Sequence, residues 1–174
     1  MIRSSKSAVI FMQSPLWWRD VCGLAFWIAL SLSVSAIGGA ITRTSVSEWY
    51  QGLAKPSFTP PDWTFTAVWI SLFLLMGVSA WLVWRRTGFA DGAVPLACFA
   101  AQLALNLAWS ILFFGFRLVD WALFELVVLW ILVLMTTVAF YHVSRPAGLL
   151  LVPYLLWLFF AIALNASIWR LNAT

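Results

Sequence analysis

Five apolar runs constrain this chain more than any other feature: about Val21 to Ile41, Thr64 to Trp84, Ala93 to Phe116, Trp121 to Tyr141 and Ala147 to Trp169. Each approaches the ~20 residues needed to cross about 30 Å of hydrocarbon. No water satisfies backbone groups in that layer, so runs of this length must be helices, which pair their own N–H and C=O groups. The links after the second, third and fourth runs are RRTGFADG, RLVD and HVSRP. Links that short make consecutive spans antiparallel neighbours. The expected fold is an all-α integral membrane protein, a five-transmembrane-helix up-and-down bundle over residues 21–174. Composition agrees: 9% of the 174 residues are charged, against roughly 25% in a soluble domain.

Residues 1–20 stand before the first run. Their longest apolar stretch, five residues before Gln13, is shorter than a signal-peptide core, so they read as a retained membrane-surface extension. Arg3, Lys6, Arg19, Arg85, Arg86 and Arg145 lie on the N-terminal side, against Arg43, Lys55, Arg117 and Arg170 on the other. That bias puts the N-terminus in the cytoplasm. The net charge of +4 suits anionic lipid headgroups, and without a basic stripe nucleic acid is not an expected partner. Cys22 and Cys98 fall within apolar spans and read as small core residues, with no disulfide and no metal site.

The connector between the first two runs, residues 42–63, is unlike the others. From Trp49 to Trp69 the chain reads WYQGLAKPSFTPPDWTFTAVW. Pro56, Pro60 and Pro61 remove backbone donors and fix φ, which excludes helix or central strand there. Six aromatics, Trp49, Tyr50, Phe58, Trp63, Phe65 and Trp69, are too many for a solvated loop. The stretch therefore reads as a structured cap pressed onto the mouth of the bundle.

Helical periodicity places further residues beneath that cap. Gln102, Asn106, Trp109 and Phe113 share one face of the third span, and amides in hydrocarbon must find partners inside the bundle. The opposite face, Ala97, Ala100, Ala101, Ala104 and Ala108, is small and smooth, and suits close approach of another helix or a second copy of the chain. In the second span Phe65, Trp69, Phe73 and Met76 share a face. In the fifth, Tyr154, Trp157, Ala161, Leu164 and Asn165 do, with Pro153 inside the helix. For any one aromatic, ordinary packing is a sufficient explanation. Convergence of several with buried amides is what suggests a pocket. Trp17, Trp18, Trp49, Trp84, Trp121 and Trp169 read as interfacial belts. Asp120 is placed as N-cap of the fourth span, and Asp120 and Glu125 as charges compensating its dipole.

Three segments resemble one family. LAKPSFTPPDWTFTAVW with Met76-Gly77 and Val83-Trp84 is similar to the first loop and second helix of the tryptophan-rich sensory protein, or translocator protein, family (peripheral benzodiazepine receptors). QLALNLAWSILFFG, Gln102 to Gly115, looks like its third helix, and PYLLWLFFAIALN, Pro153 to Asn165, like its fifth. The resemblance covers about Gly38 to Asn172. It implies five transmembrane helices, frequent dimers, and a pocket under the first loop for porphyrins, haem and synthetic aromatic ligands. Carried over by position, its ligand-binding residues are Trp63, Trp69, Phe73, Asn106, Trp109, Trp157, Ala161 and Leu164, with Pro60 and Pro61 shaping the lid. This chain has Phe73 where many relatives have Tyr, and Ala67 where many have Pro. Ala166 and Ser167 follow Asn165, so the tyrosine of the family's sterol motif is missing, which argues against sterol binding.

No conventional catalytic set is visible: Ser, His and an acid do not converge, and there is no Cys/His metal spacing or glycine-rich phosphate loop. The sole histidine, His142, falls at the membrane face opposite the cap, so a flat tetrapyrrole would be held by its ring, with iron optional and no obligatory cofactor. Lys55, Arg43, Arg117 or Arg170 at the rim suit its propionates. Three functions follow: a sensor regulating tetrapyrrole levels or a stress response, a tetrapyrrole transporter, or a light-dependent porphyrin-degrading activity. The resemblance raises the last, in which Trp69 and Trp157 would donate electrons or form ring adducts. A bacterial cell membrane is the expected location.

Overall fold

A computed structural model describes residues 16–173. It contains five long helices: α1 (Leu16–Ser45), α2 (Asp62–Thr87), α3 (Ala93–Ser110), α4 (Val119–Val143) and α5 (Arg145–Asn172). All five are long and apolar enough to cross a membrane. The expected extension at 1–20 lies outside the described residues up to position 15, and 16–20 form the start of α1.

Helix ends differ from the apolar runs for local reasons. α1 does not stop at Ile41: it continues to Ser45, passes through a π-helical turn at Val46–Tyr50 and stays helical to Gly52. No glycine or proline interrupts positions 42–51, so nothing ends the helix at the hydrocarbon boundary. The irregular part of the cap shortens to 53–61. α3 also ends in a π-helical turn, Ile111–Gly115. The corner into α4 is made at Arg117, whose φ is 61°. Leu118, not Asp120, occupies the N-cap of α4. Asp120 lies within the first turn, where its charge still meets the positive end of the helix dipole.

The helices alternate in direction, and the circuit around the bundle runs α1, α2, α5, α4, α3 and back to α1. Helices consecutive in sequence are not all close neighbours: α2 and α3 meet only across the interior, because α1 stands between them on the circuit. The turn Gly88–Gly92, with Gly88 at φ 67°, carries the chain past the start of α1. That φ is costly for any residue with a Cβ.

Two seams of the circuit rest on backbone contact. A Cβ on Gly77 would lie 2.8 Å from Ile28 Cα and 2.9 Å from the Trp27 carbonyl oxygen, so α1 and α2 cross where one side chain is missing. A Cβ on Gly148 would lie 2.5 Å from Tyr141 Cβ and 2.8 Å from its Cα, which fixes the α4–α5 corner. The interior is filled by Met76, Ala80, Val83, Phe99, Leu129, Phe140 and Leu158, all fully buried. Ser79 Oγ donates to the Ala147 carbonyl at 2.7 Å, tying α2 to the start of α5. Outward positions carry large apolar side chains such as Phe124, Ile131, Met135, Leu156 and Phe159, as a lipid-facing surface requires.

Candidate ligand site beneath the cap

The cap is fastened to the ends of α3 and α5. The Ser45 hydroxyl donates to the Phe114 carbonyl at 2.6 Å, joining the end of α1 to the end of α3. Asn172, in the last turn of α5, accepts from the Ala54 N–H at 3.1 Å and donates to the Ala54 carbonyl at 2.9 Å. One carboxamide thus satisfies both backbone groups of a cap residue 118 positions away in sequence. Gln51 donates to the Asp62 carboxylate at 3.2 Å across the loop. Lys55 Nζ lies 4.5 Å from the Tyr50 ring centre and the Arg117 guanidinium 5.9 Å from that of Trp49. Burial pushes the Tyr50 phenol above its ordinary pKa, and the Asp62 charge adds to the effect.

Two columns of aromatic rings descend from the cap. In the first, Phe58 of the cap meets Phe160 at 6.2 Å between ring centres, and Phe160 meets Trp157 at 5.3 Å. Trp157 meets Phe65 at 5.8 Å and Trp69 at 6.4 Å; Trp69 then meets Phe73 at 5.8 Å and Tyr154 at 6.1 Å. In the second, Trp49 and Tyr50 rest on Phe113, at 5.6 and 6.2 Å, and Phe113 stacks on Trp109 at 5.2 Å. The columns converge at their base. Asn106, one turn from Trp109, donates to the Tyr154 hydroxyl at 2.8 Å. Lid, two aromatic walls and a polar floor therefore occupy the cap-side half of the bundle.

Most residues singled out in the sequence fall into this arrangement. Phe73 and Asn106 are buried, Trp69, Trp109, Trp157 and Ala161 are partly buried, and Leu164 packs with Phe113 and Tyr50. Gln102 also points inward, its amide directed at Met76 Sδ at 3.7 Å. The two lid prolines differ, Pro60 partly buried and Pro61 exposed, and Trp63, expected among the pocket residues, stands clear of both columns at 72% exposure. The alanine face of α3 is on the outside, with Ala97, Ala100, Ala101 and Ala104 exposed.

Of the first column, only Phe160 was not singled out in the sequence; Phe58 and Phe65 were read as cap aromatics, and Tyr154, read on the Trp157 face, joins both columns. Phe73 lacks a hydroxyl, yet Tyr154 supplies one beside Asn106 from another helix. The shared face of Tyr154 and Trp157 was the available signal; the partner on α3 was not. Glu125 is turned into the bundle at 8% exposure instead of lying at the surface of the helix start, and neither carboxyl oxygen has a partner from the protein. The same holds for both amide atoms of Asn165 and for the indole nitrogen of Trp109. Among the described residues no group of three or more metal-ligating side chains comes together.

Residues 27–170 match the model of the TspO/MBR family. The chain belongs to the TspO/MBR family. The match includes the cap, both aromatic columns and the Asn106–Tyr154 floor. The chain is 43% identical over 158 residues to the tryptophan-rich protein TspO of Chlorobaculum tepidum, covering 88% of this chain and 98% of that protein. It is 45% identical over 145 residues to the translocator protein of Sus scrofa, covering 80% and 86% respectively. It is 40% identical over 148 residues to a tryptophan-rich sensory protein of Cereibacter sphaeroides, covering 83% and 92%. Family membership and five apolar helices together make this TspO/MBR protein a multi-pass membrane protein.

Proposed function

We propose that this protein is a membrane receptor that binds porphyrins, protoporphyrin and haem among them, and similar flat aromatic ligands beneath the cap, and thereby senses tetrapyrrole levels or a related stress. The observation that carries this reading is the pair of aromatic columns converging on the Asn106–Tyr154 hydrogen bond. A tetrapyrrole is a flat apolar disc with a carboxylate edge. Indole and phenyl faces stack on such a disc at about 0.5–1.5 kcal/mol per aromatic pair beyond area burial. Trp69, Phe73, Asn106, Trp109, Trp157, Ala161 and Leu164 form the contact surface in this proposal, with Pro60 and Pro61 in the lid. Lys55 and Arg117 hold cationic groups over cap aromatics, in reach of propionates at the rim. The chain has a single His, His142, and it is exposed in the last turn of α4, on the face away from the cap. Ring recognition without an iron ligand follows.

Titration in the dark with protoporphyrin, followed by tryptophan fluorescence, tests this. Saturable quenching that weakens in the Trp69→Phe, Trp157→Phe double variant is expected, with haemin binding no more than a few-fold tighter than metal-free protoporphyrin. Linear quenching indifferent to the double variant would reject it. The perpendicular contact of Trp69 with Trp157 also favours a second reading, light-driven oxidation of the bound porphyrin with dioxygen as the electron acceptor and one of these indoles relaying the electron. A chemically altered porphyrin on illumination with dioxygen, absent in the double variant, distinguishes it from sensing. Uptake into sealed vesicles would instead mark a transporter. The outer face of α3 formed by Ala97, Ala101, Ala104 and the half-buried Ala108 is proposed as a homodimer contact; cysteines introduced there that cross-link to no dimer in membranes would reject it.

A further inference from the structure

The face opposite the cap holds a second constellation, unrelated to the aromatic columns. There the end of α2 meets the α4–α5 corner, and an open cavity of about 520 Å³ is lined by Arg86, Tyr141, His142, Val143, Arg145 and Pro146. Two of these are permanent cations, one is a histidine and none is an acid. The one ion pair among the described residues, Arg85 with Asp20 at 2.9 Å, leaves Arg86 and Arg145 without a carboxylate. Uncompensated guanidinium groups sharing one cavity repel each other, and an anion between them removes that cost.

The lining side chains are mostly exposed, but the backbone that carries them is fixed. Arg86 Nη1 donates to the Val143 carbonyl at 2.9 Å, which anchors an otherwise exposed guanidinium at the cavity. Gly148 packs against the Tyr141 backbone, and Ser79 ties the adjacent turn of α5 to α2. Ser144, the N-cap of α5 between lining residues Val143 and Arg145, does not itself line the cavity: it is 1% exposed, and its hydroxyl has no partner from the protein. The positive end of the 28-residue α5 dipole is directed at the same corner.

We propose that this cavity binds a phosphate-bearing anion, gripped by Arg86 and Arg145 with His142 at the rim. A guanidinium fork matches the geometry of phosphate oxygens. The corner also lies where the spans end, at the depth at which lipid phosphates are the abundant anion. The chemistry is shared by an anionic lipid headgroup and by a soluble phosphate, and the two are separable by experiment.

The test uses the full chain in neutral detergent, with native mass spectrometry during titration by phosphatidylglycerol, phosphatidylcholine or inorganic phosphate. One phosphatidylglycerol per chain is expected, bound more tightly than phosphatidylcholine. Removing one guanidinium by Arg145→Gln should weaken it about fivefold. Arg145 is the decisive position because Arg86 also holds the corner together; Arg86→Lys, which keeps the charge but not the fork, should weaken binding by less. Competition by inorganic phosphate would identify the phosphate group itself as the ligand, and its failure to compete would assign the site to lipid. Equal binding to wild type and Arg145→Gln, or equal loss from the cap-side control Arg170→Gln, would overturn the proposal.

Discussion

The carboxamide of Asn106 on α3 and the hydroxyl of Tyr154 on α5 meet at 2.8 Å in the middle of the bundle, and no other polar contact joins these helices among the described residues. Tyr154 is 1% exposed and Asn106 7%, so neither group can turn to solvent. Tyr154→Phe removes the acceptor and leaves a buried amide donor. We expect a loss of about 1–3 kcal/mol, read as a lower unfolding temperature in detergent. Asn106→Leu in the Tyr154→Phe background should cost less than in wild type, because the orphaned donor is removed with it.

Glycine substitutions should separate the seams that need a missing side chain from positions that do not. Gly77→Ala places a methyl against the α1 backbone, and overpacking of this kind costs about 1–3 kcal/mol or more. A methyl on Gly39 would meet nothing within 4 Å, so Gly39→Ala should be neutral or stabilise by up to ~1 kcal/mol through helix propensity. Thermal unfolding of the two single variants decides the matter, and equal effects would contradict the backbone crossing.

Asn172→Ala should loosen the cap without unfolding the bundle. Two hydrogen bonds to Ala54 are lost, each contributing about 0.5–1.5 kcal/mol. The expected result is faster amide exchange at Ala54 and its neighbours with little change in the interior of α2 to α5. If porphyrin binds beneath the cap, its dissociation should quicken in the same variant.

Tyr50 predicts a limb of instability at high pH. Its folded pKa lies above the ordinary value of 10.0, first through burial and then through the Asp62 charge. Below pH 10 both states keep the proton and the stability is fully present. Above it the unfolded chain ionises first, so stability falls as pH rises towards the folded value. Unfolding between pH 9 and 12 should be less steep in pH for Tyr50→Phe than for wild type.

The spans were legible because hydrocarbon thickness imposes a length on any helix that crosses it, and periodicity assigned Gln102, Asn106, Phe73 and Leu164 to the interior. Their partners were not legible. Neither the Asn172 clasp on Ala54 nor the Asn106–Tyr154 bond leaves a local signal, since each depends on which helices become neighbours. Short links suggested sequential neighbours, and α1 standing between α2 and α3 shows why link length alone does not give the order. Asp120 had the chemistry of an N-cap, but the αL corner at Arg117 starts the helix at Val119, and Asp120 falls inside it. Trp63 shared the aromatic character of the cap without sharing its contacts.

The glycine crossings divide the bundle by stiffness. Where Gly77 lets α1 touch α2, and Gly148 lets α4 touch α5, backbone meets backbone, and no rotamer change can part them. Between α2 and α5, in contrast, Trp69, Phe65 and Trp157 fill much of the gap with side chains that turn about single bonds. The molecule thus holds two backbone-tight pairs, with α3 outside both, and the cap-side half of the α2–α5 seam is closed by rings that can turn without moving either helix.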